Sequence, residues 1–158
     1  MLFGEKKTVI GKAEATIAVP KVKLFDLMGK NFMSHYQQWS PEVKELELLT
    51  PPPLQIGSLV RQVRVDHGHK SESIFKVHAF DPEGTLLFHE VDHKYHCGYR
   101  LRSSEENPEQ TLVEFSFEFP DLELFMRPFE KLIRIAVQDG AVQTVKNLKK
   151  FAEQKAQA

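Results

Sequence analysis

Between Thr111 and Ala152 the spacing of apolar residues changes once, from every second position to every third or fourth. That switch limits what this chain can fold into. Val113, Phe115, Phe117 and Phe119 alternate with Glu114, Ser116 and Glu118, the period of a half-buried strand. Pro120-Asp121 closes the strand, because proline brings no N–H to a ladder. Leu122 to Met126 reads as a single turn, and Pro128 suits the first position of a new helix. From there Phe129, Ile133, Val137, Ala141, Val145, Leu148 and Ala152 form an apolar stripe at helical spacing. Such a helix runs about 40 Å at ~1.5 Å per residue. It needs an apolar surface of similar length to lie on.

The upstream sequence supplies that surface as strands. Val9, Ala13, Ala15, Ile17 and Val19 share one face, Lys12, Glu14 and Thr16 the other, and Pro20 ends the run. The period then becomes helical at Val22, Phe25, Met28 and Phe32, with a break near Gly29-Lys30-Asn31, so two short helices are expected. They stop at Trp39-Ser40-Pro41, since a residue before proline is pushed out of the helical region. Strands are predicted over Val43 to Thr50, Ser58 to Val65, Ser71 to Phe80, Thr85 to His93, Tyr95 to Arg102 and Thr111 to Phe119. Their short connections, such as the Asp81-Pro82-Glu83-Gly84 turn, call for an antiparallel meander. The expected order is strand, two short helices, six strands, long helix: an α+β fold with a curved antiparallel sheet of about seven strands around the C-terminal helix.

The 158 residues suit one domain, 1–158. Lys and Arg number 21 against 22 Asp and Glu, so no basic excess points to nucleic acid. The one cysteine, Cys97, excludes an internal disulfide framework. Met1-Leu2-Phe3-Gly4-Glu5-Lys6-Lys7 carries no apolar leader, and no run reaches the length of a membrane span. A reducing, cytoplasmic setting is expected, with peripheral membrane contact and the oligomeric state left open.

Several local patterns share a family likeness. Ala18-Val19-Pro20 leads into Val22-x-x-Phe25-x-Leu27, and Tyr36-x-x-Trp39-Ser40-Pro41-x-Val43 links the second helix to the second strand. Leu54-x-x-Gly57-Ser58 precedes a strand, Val77-x-x-Phe80-Asp81-Pro82 is followed by Leu86-Leu87-Phe88, and Gln110-Thr111-x-Val113 opens the last strand. In order and spacing, from Thr8 to Glu153, the chain resembles the SRPBCC superfamily. That superfamily takes in plant pollen allergens, START lipid-transfer domains and bacterial polyketide cyclase/dehydrase-like proteins. The resemblance implies a helix-grip fold with a cavity between sheet and helix, and it implies no particular reaction.

The cavity so implied would be lined by Phe75, Val77, Tyr99, Phe115, Phe117, Phe129, Ile133, Ala136 and Gly140, with Phe125 also projecting toward the gap and Arg64 and His89 as further polar candidates. A filled aromatic core explains the phenylalanines by itself and is the default reading of such a stripe. The Tyr99 hydroxyl fits either inside the pocket or at its rim. Gly140 also has two readings. Phe129, Ile133, Ala136 and Gly140 shrink along the helix and open space, or the glycine marks close backbone packing or a mild kink. Trp39 reads as an anchor for the short helices.

Asp66-His67-Gly68-His69 and His89-Glu90-x-Asp92-His93-x-x-His96-Cys97 hold possible metal ligands. Along a continuous strand His89 and His93 share a face about 13 Å apart, too far for one ion. Neither a metal nor a cofactor is expected. Cys97 and His96 point to opposite faces, so no catalytic pair forms, and Cys97 reads as a small buried apolar group. The expected function is binding of a small apolar or aromatic ligand between sheet and helix. The alternatives are a cyclase/dehydrase-like enzyme using Tyr99, His89 or Arg64, and a protein-interaction module, which would show a filled core and an exposed apolar patch.

Overall fold

The computed structural model describes residues 5–157, so Met1 to Gly4 of the N-terminus read above lie outside the described residues. Seven antiparallel strands form one sheet: β1 (Val9–Ile17), β2 (Val43–Leu48), β3 (Leu59–Asp66), β4 (His69–Asp81), β5 (Thr85–Glu90), β6 (His96–Ser103) and β7 (Thr111–Phe119), in the order β1-β7-β6-β5-β4-β3-β2. Between β1 and β2 come α1 (Lys21–Phe25), a π turn (Asp26–Lys30) and α2 (Phe32–Trp39). After β7 a 3-10 segment (Leu124–Phe129) leads into the long α3 (Glu130–Gln157). Pro128 therefore sits inside the 3-10 segment rather than opening α3.

Alternation decides which face of each strand is buried. Val60 and Gln62, Phe75 and Val77, Leu86 and Phe88, Tyr99 and Leu101, and Val113 and Phe115 all turn to the concave side and are buried there. Within that curve Phe32 of α2 meets Phe75 and Phe88, with ring centres 6.3 and 5.0 Å away, and Trp39 meets Tyr99 at 6.2 Å. The short helix α2, not α3, covers the middle of the concave face.

The long helix runs instead along β1, the open edge of the sheet. Its polar residues bond the backbone groups that an edge strand leaves unpaired. Arg134 donates to the Thr8 carbonyl at 2.9 Å, and Gln138 both accepts from the Lys12 N–H at 3.0 Å and donates to the Lys12 carbonyl at 2.8 Å. Lys149 donates to the Thr16 carbonyl at 2.7 Å, and Glu153 accepts from the Ala18 N–H at 2.8 Å. Closeness is set by Gly11: a Cβ there would stand 2.7 Å from the Val137 carbonyl oxygen. The close approach of helix to sheet therefore falls at Gly11. An added Cβ on Gly140 would meet nothing within 4 Å.

The stripe expected as one divides in two. Ala141, Val145, Leu148 and Ala152 are buried. Phe151 and Asn147 lie on a neighbouring face turned to α2, where Phe151 packs on Trp39 with ring centres 5.7 Å apart and Asn147 donates to the Trp39 carbonyl at 3.2 Å. Counting back by three and four, that second face continues through Thr144, Gly140, Ala136, Ile133 and Phe129. These positions lie past the N-terminal reach of the α2 contacts, and most of them are uncovered.

Candidate ligand-binding site

The aromatic residues of the concave face leave a cavity of about 20 Å³, walled by Phe32, Tyr36, Phe75, Phe88, Tyr99 and Phe115 together with Gln62, Tyr95 and Cys97. That is room for about one water molecule. The aromatic residues come from α2, β4, β5, β6 and β7, so the void lies between α2 and the sheet.

The polar atoms around the void are nearly all tied. The Trp39 indole N–H donates to the Tyr99 hydroxyl at 3.0 Å. Ser73 and Tyr95 share a hydrogen bond of 2.8 Å, and the Gln62 amide N–H₂ donates to Tyr95 at 3.2 Å. Arg64 donates to both Asp66 oxygens at 3.1 Å and reaches Ser40 at 3.2 Å and Tyr36 at 3.4 Å. Burial works against the Arg64 charge, but the Tyr36 oxygen and the Asp66 carboxylate more than offset it and hold its pKa above the ordinary value. Burial pushes the phenols of Tyr36, Tyr95 and Tyr99 upward and the Cys97 thiol to about 12. One group stays unpaired: Gln62 Oε1 is buried with no partner. Exchanging the two ends of the amide would merely orphan the nitrogen in its place.

Of the residues expected from sequence, Phe75, Tyr99 and Phe115 are brought together at the cavity. Val77 is buried beside them without lining it, and Arg64 sits half-buried at the edge. Phe117 is half-buried further out, stacked on Tyr95 with ring centres 5.4 Å apart and edge-on to Phe119 at 5.1 Å. On α3, Ile133 is half-buried and Ala136 and Gly140 are exposed. Phe125 and Phe129 are 72% and 58% exposed, outside the closed interior where the phenylalanine pattern puts them. Because Val137 lies over Gly11, the register partner of Phe117, this uncovered stretch stands level with the Tyr95–Phe117–Phe119 row. The concave face is thus covered by α2 at one end, and the stretch of α3 level with its other end is largely uncovered.

His89 alternates with the buried Phe88 and turns to the convex face, away from the cavity. Burial and the neighbouring His78, His93, His96 and Lys76 lower its pKa. Here the strand assumption fails. β5 stops at Glu90 rather than at His93, and a turn with His93 at φ 59° folds that ring back to 4.9 Å from His89.

Sequence reasoning misses Phe32, Tyr36, Gln62, Phe88 and Tyr95. Gln62 shares parity with Val60 and Arg64, and that mixed face gives no sequence signal for a buried amide.

The architecture, a curved seven-stranded sheet gripping a long C-terminal helix with two short helices after the first strand, is the SRPBCC-type helix-grip fold. The chain belongs to the family described as polyketide cyclase / dehydrase and lipid transport, whose model matches residues 9–153. It is similar in fold to the protein TTHA0849 from Thermus thermophilus, at 18% identity and a TM-score of 0.72, over 94% of this chain and 99% of that one. It is similar also to the structure of Ara h 8.0201, at 15% identity and a TM-score of 0.62, over 92% and 98%. No curated protein matches the sequence. Among the described residues no helix is long and apolar enough to cross a membrane.

Proposed function

We propose that this chain binds a small apolar or aromatic molecule bearing one hydrogen-bonding group, in the groove between sheet and α3, as a cytoplasmic carrier or sensor. The observation that carries this reading is the unpaired Gln62 amide at an otherwise aromatic cavity. An orphaned buried acceptor costs about 1–3 kcal/mol, and a ligand hydroxyl or N–H donating to Gln62 Oε1 would recover it. Apolar burial at about 25 cal/mol per Å² supplies the drive, and the few fixed polar groups supply orientation. The present void is too small for a ring, so a ligand has to displace the outer Tyr95–Phe117 pair and lie along the open end. A single thiol with no partner cysteine suits a reducing compartment.

The test is titration with naphthalene and 2-naphthol, alongside native mass spectrometry of freshly purified protein. One molecule of 2-naphthol per chain is expected. Gln62→Leu should weaken 2-naphthol about tenfold and leave naphthalene unchanged. Failure of both probes, with nothing apolar extracted from the purified protein, refutes the reading.

A second reading, a surface for another protein, draws on the nearly filled interior and on exposed Leu124, Phe125, Phe129, Leu132 and Ile135. It expects no probe binding and loss of partner capture on Phe125→Ser. The cyclase/dehydrase alternative has less behind it, with His89 on the convex face and Tyr99 held by Trp39, its phenol harder to ionise.

A further inference from the structure

On the convex face, opposite the cavity, four imidazoles gather from three adjacent strands and a turn. His78 stands on β4, His89 on β5 and His96 on β6, and His93 comes from the turn after β5. Ring centres are 5.1 Å apart for His78–His89, 4.9 Å for His89–His93, 5.9 Å for His93–His96 and 6.2 Å for His89–His96. The turn is firmly built: the buried Glu90 carboxylate accepts from the N–H groups of Asp92 at 2.8 Å and Lys94 at 3.0 Å, and the His93 N–H bonds the Glu90 carbonyl at 2.8 Å.

We infer that His89, His93 and His96, with His78 beside His89 on the adjoining strand, form a site for a divalent transition-metal ion of the zinc class. Imidazoles suit Zn, Cu and Ni ions. With Zn–N bonds of about 2.0–2.1 Å and tetrahedral angles, neighbouring ring centres come about 5–6 Å apart, the spacing found here. His96 supplies the second, independent observation. Its Nε2 is buried with no hydrogen-bond partner, while its Nδ1 lies 3.7 Å from Glu118 Oε1. A proton on Nδ1 facing that carboxylate leaves the Nε2 lone pair free, and a carboxylate behind a ligating histidine is the usual support for such a ligand. The donors do not yet converge. His89 and His93 stack at 27°, and as the side chains stand no group of three or more His, Cys, Asp or Glu among the described residues is placed to hold a metal ion. Loading requires side-chain rotation of rings that are exposed or half-exposed. Lys76, the register partner of His89, opposes the ion, and Glu118 favours it.

The test is calorimetric titration of the full chain with Zn²⁺ after chelator treatment, and with Co²⁺ read by its visible spectrum. One ion per chain is expected, with a tetrahedral Co²⁺ spectrum. His89→Ala and His96→Ala should each weaken binding at least tenfold, and Glu118→Gln about tenfold by loss of positioning. The double variant of His67 and His69, both to Ala, at the β3–β4 turn should bind as the parent does. Substoichiometric heat, an octahedral spectrum, or equal loss in the His67/His69 variant overturns the inference. Far-ultraviolet dichroism of each variant separates loss of ligand from loss of fold.

Discussion

The two halves of α3 make the most useful comparison in the molecule. From Ala141 to Ala152 the helix buries one face, and Phe151 closes on α2. From Glu130 to Gly140 the same helix, with the same edge-strand hydrogen bonds beneath it, leaves its neighbouring face uncovered. On that face Phe129, Ala136 and Gly140 are exposed and Ile133 is half-buried, while Leu132 and Ile135 are exposed on the outer side of the helix. The halves differ in whether α2 stands opposite. Where it does, aromatic rings fill the concave face to the last ~20 Å³. Where it does not, the stripe through Ile133, Ala136 and Gly140 is largely uncovered, level with the Tyr95–Phe117–Phe119 row. The packed core and the proposed binding region thereby fall at different ends of one groove.

Substitution at the closed end should have the largest effect. Trp39 is fully buried, packs against the rings of Phe32, Tyr36, Tyr99 and Phe151, and donates to Tyr99. Trp39→Ala should cost about 3–5 kcal/mol for the cavity, and more because the Tyr99 hydroxyl loses its donor. At the open end, Phe125→Ser should change stability by less than about 0.5 kcal/mol. Urea denaturation of both variants measures the contrast, and equal losses would erase it.

Cys97 marks the boundary between the ends. Burial raises its thiol pKa to about 12, from an ordinary 9.0. The neutral thiol is favoured by the fold, so this contribution is fully present below pH 9 and is lost as pH rises toward 12. At pH 8 the native thiol should alkylate about a thousandfold more slowly than the unfolded one, since each pKa unit is tenfold in thiolate. A native rate within about tenfold of the unfolded rate would mean that the open end reaches the cavity.

Gly11→Ala probes the contact that both halves share. Its Cβ would meet the Val137 carbonyl carbon at 2.8 Å and oxygen at 2.7 Å. Backbone on both sides leaves little to yield, so a loss of about 1–3 kcal/mol is expected. A neutral result in thermal melts would mean that α3 rides more loosely on β1.

Much of this is legible from spacing alone. Thr111–Phe119 is a strand at the limits its alternation implies, and a 28-residue helix follows where the period changes. Strand parity also brings Phe75, Tyr99 and Phe115 to one face. What stays hidden depends on neighbours distant in sequence. The splitting of the α3 stripe depends on where α2 ends in space, which helical periodicity does not contain. The residues behind the edge bonds, Arg134, Gln138, Lys149 and Glu153, look in sequence like an ordinary solvated face. His93 is misplaced by strand spacing because a turn held by the Glu90 carboxylate breaks a strand that composition would continue. Gln62 is passed over because Val60, Gln62 and Arg64 give its face a mixed character until the unpaired amide atom is seen.

The smallest effect is expected at Gly140, and it separates the halves most cleanly. Glycine within a helix costs about 0.5–1 kcal/mol relative to alanine. That cost persists only where a Cβ is unwelcome, and nothing lies within 4 Å of one here. Close packing therefore does not explain this residue, and Gly140→Ala should stabilise the fold by about 0.5–1 kcal/mol. Gly140→Leu goes further. It lies on the stripe that runs from Phe151 through Thr144 toward Phe129, so a leucine would project into the open gap without touching the packed end. Its melting temperature should match that of the alanine variant within a few degrees, while 2-naphthol binding falls at least tenfold. If Gly140→Leu melts early, the open end is narrower than the comparison requires. If it melts normally and binds normally, the ligand does not use this side of the groove.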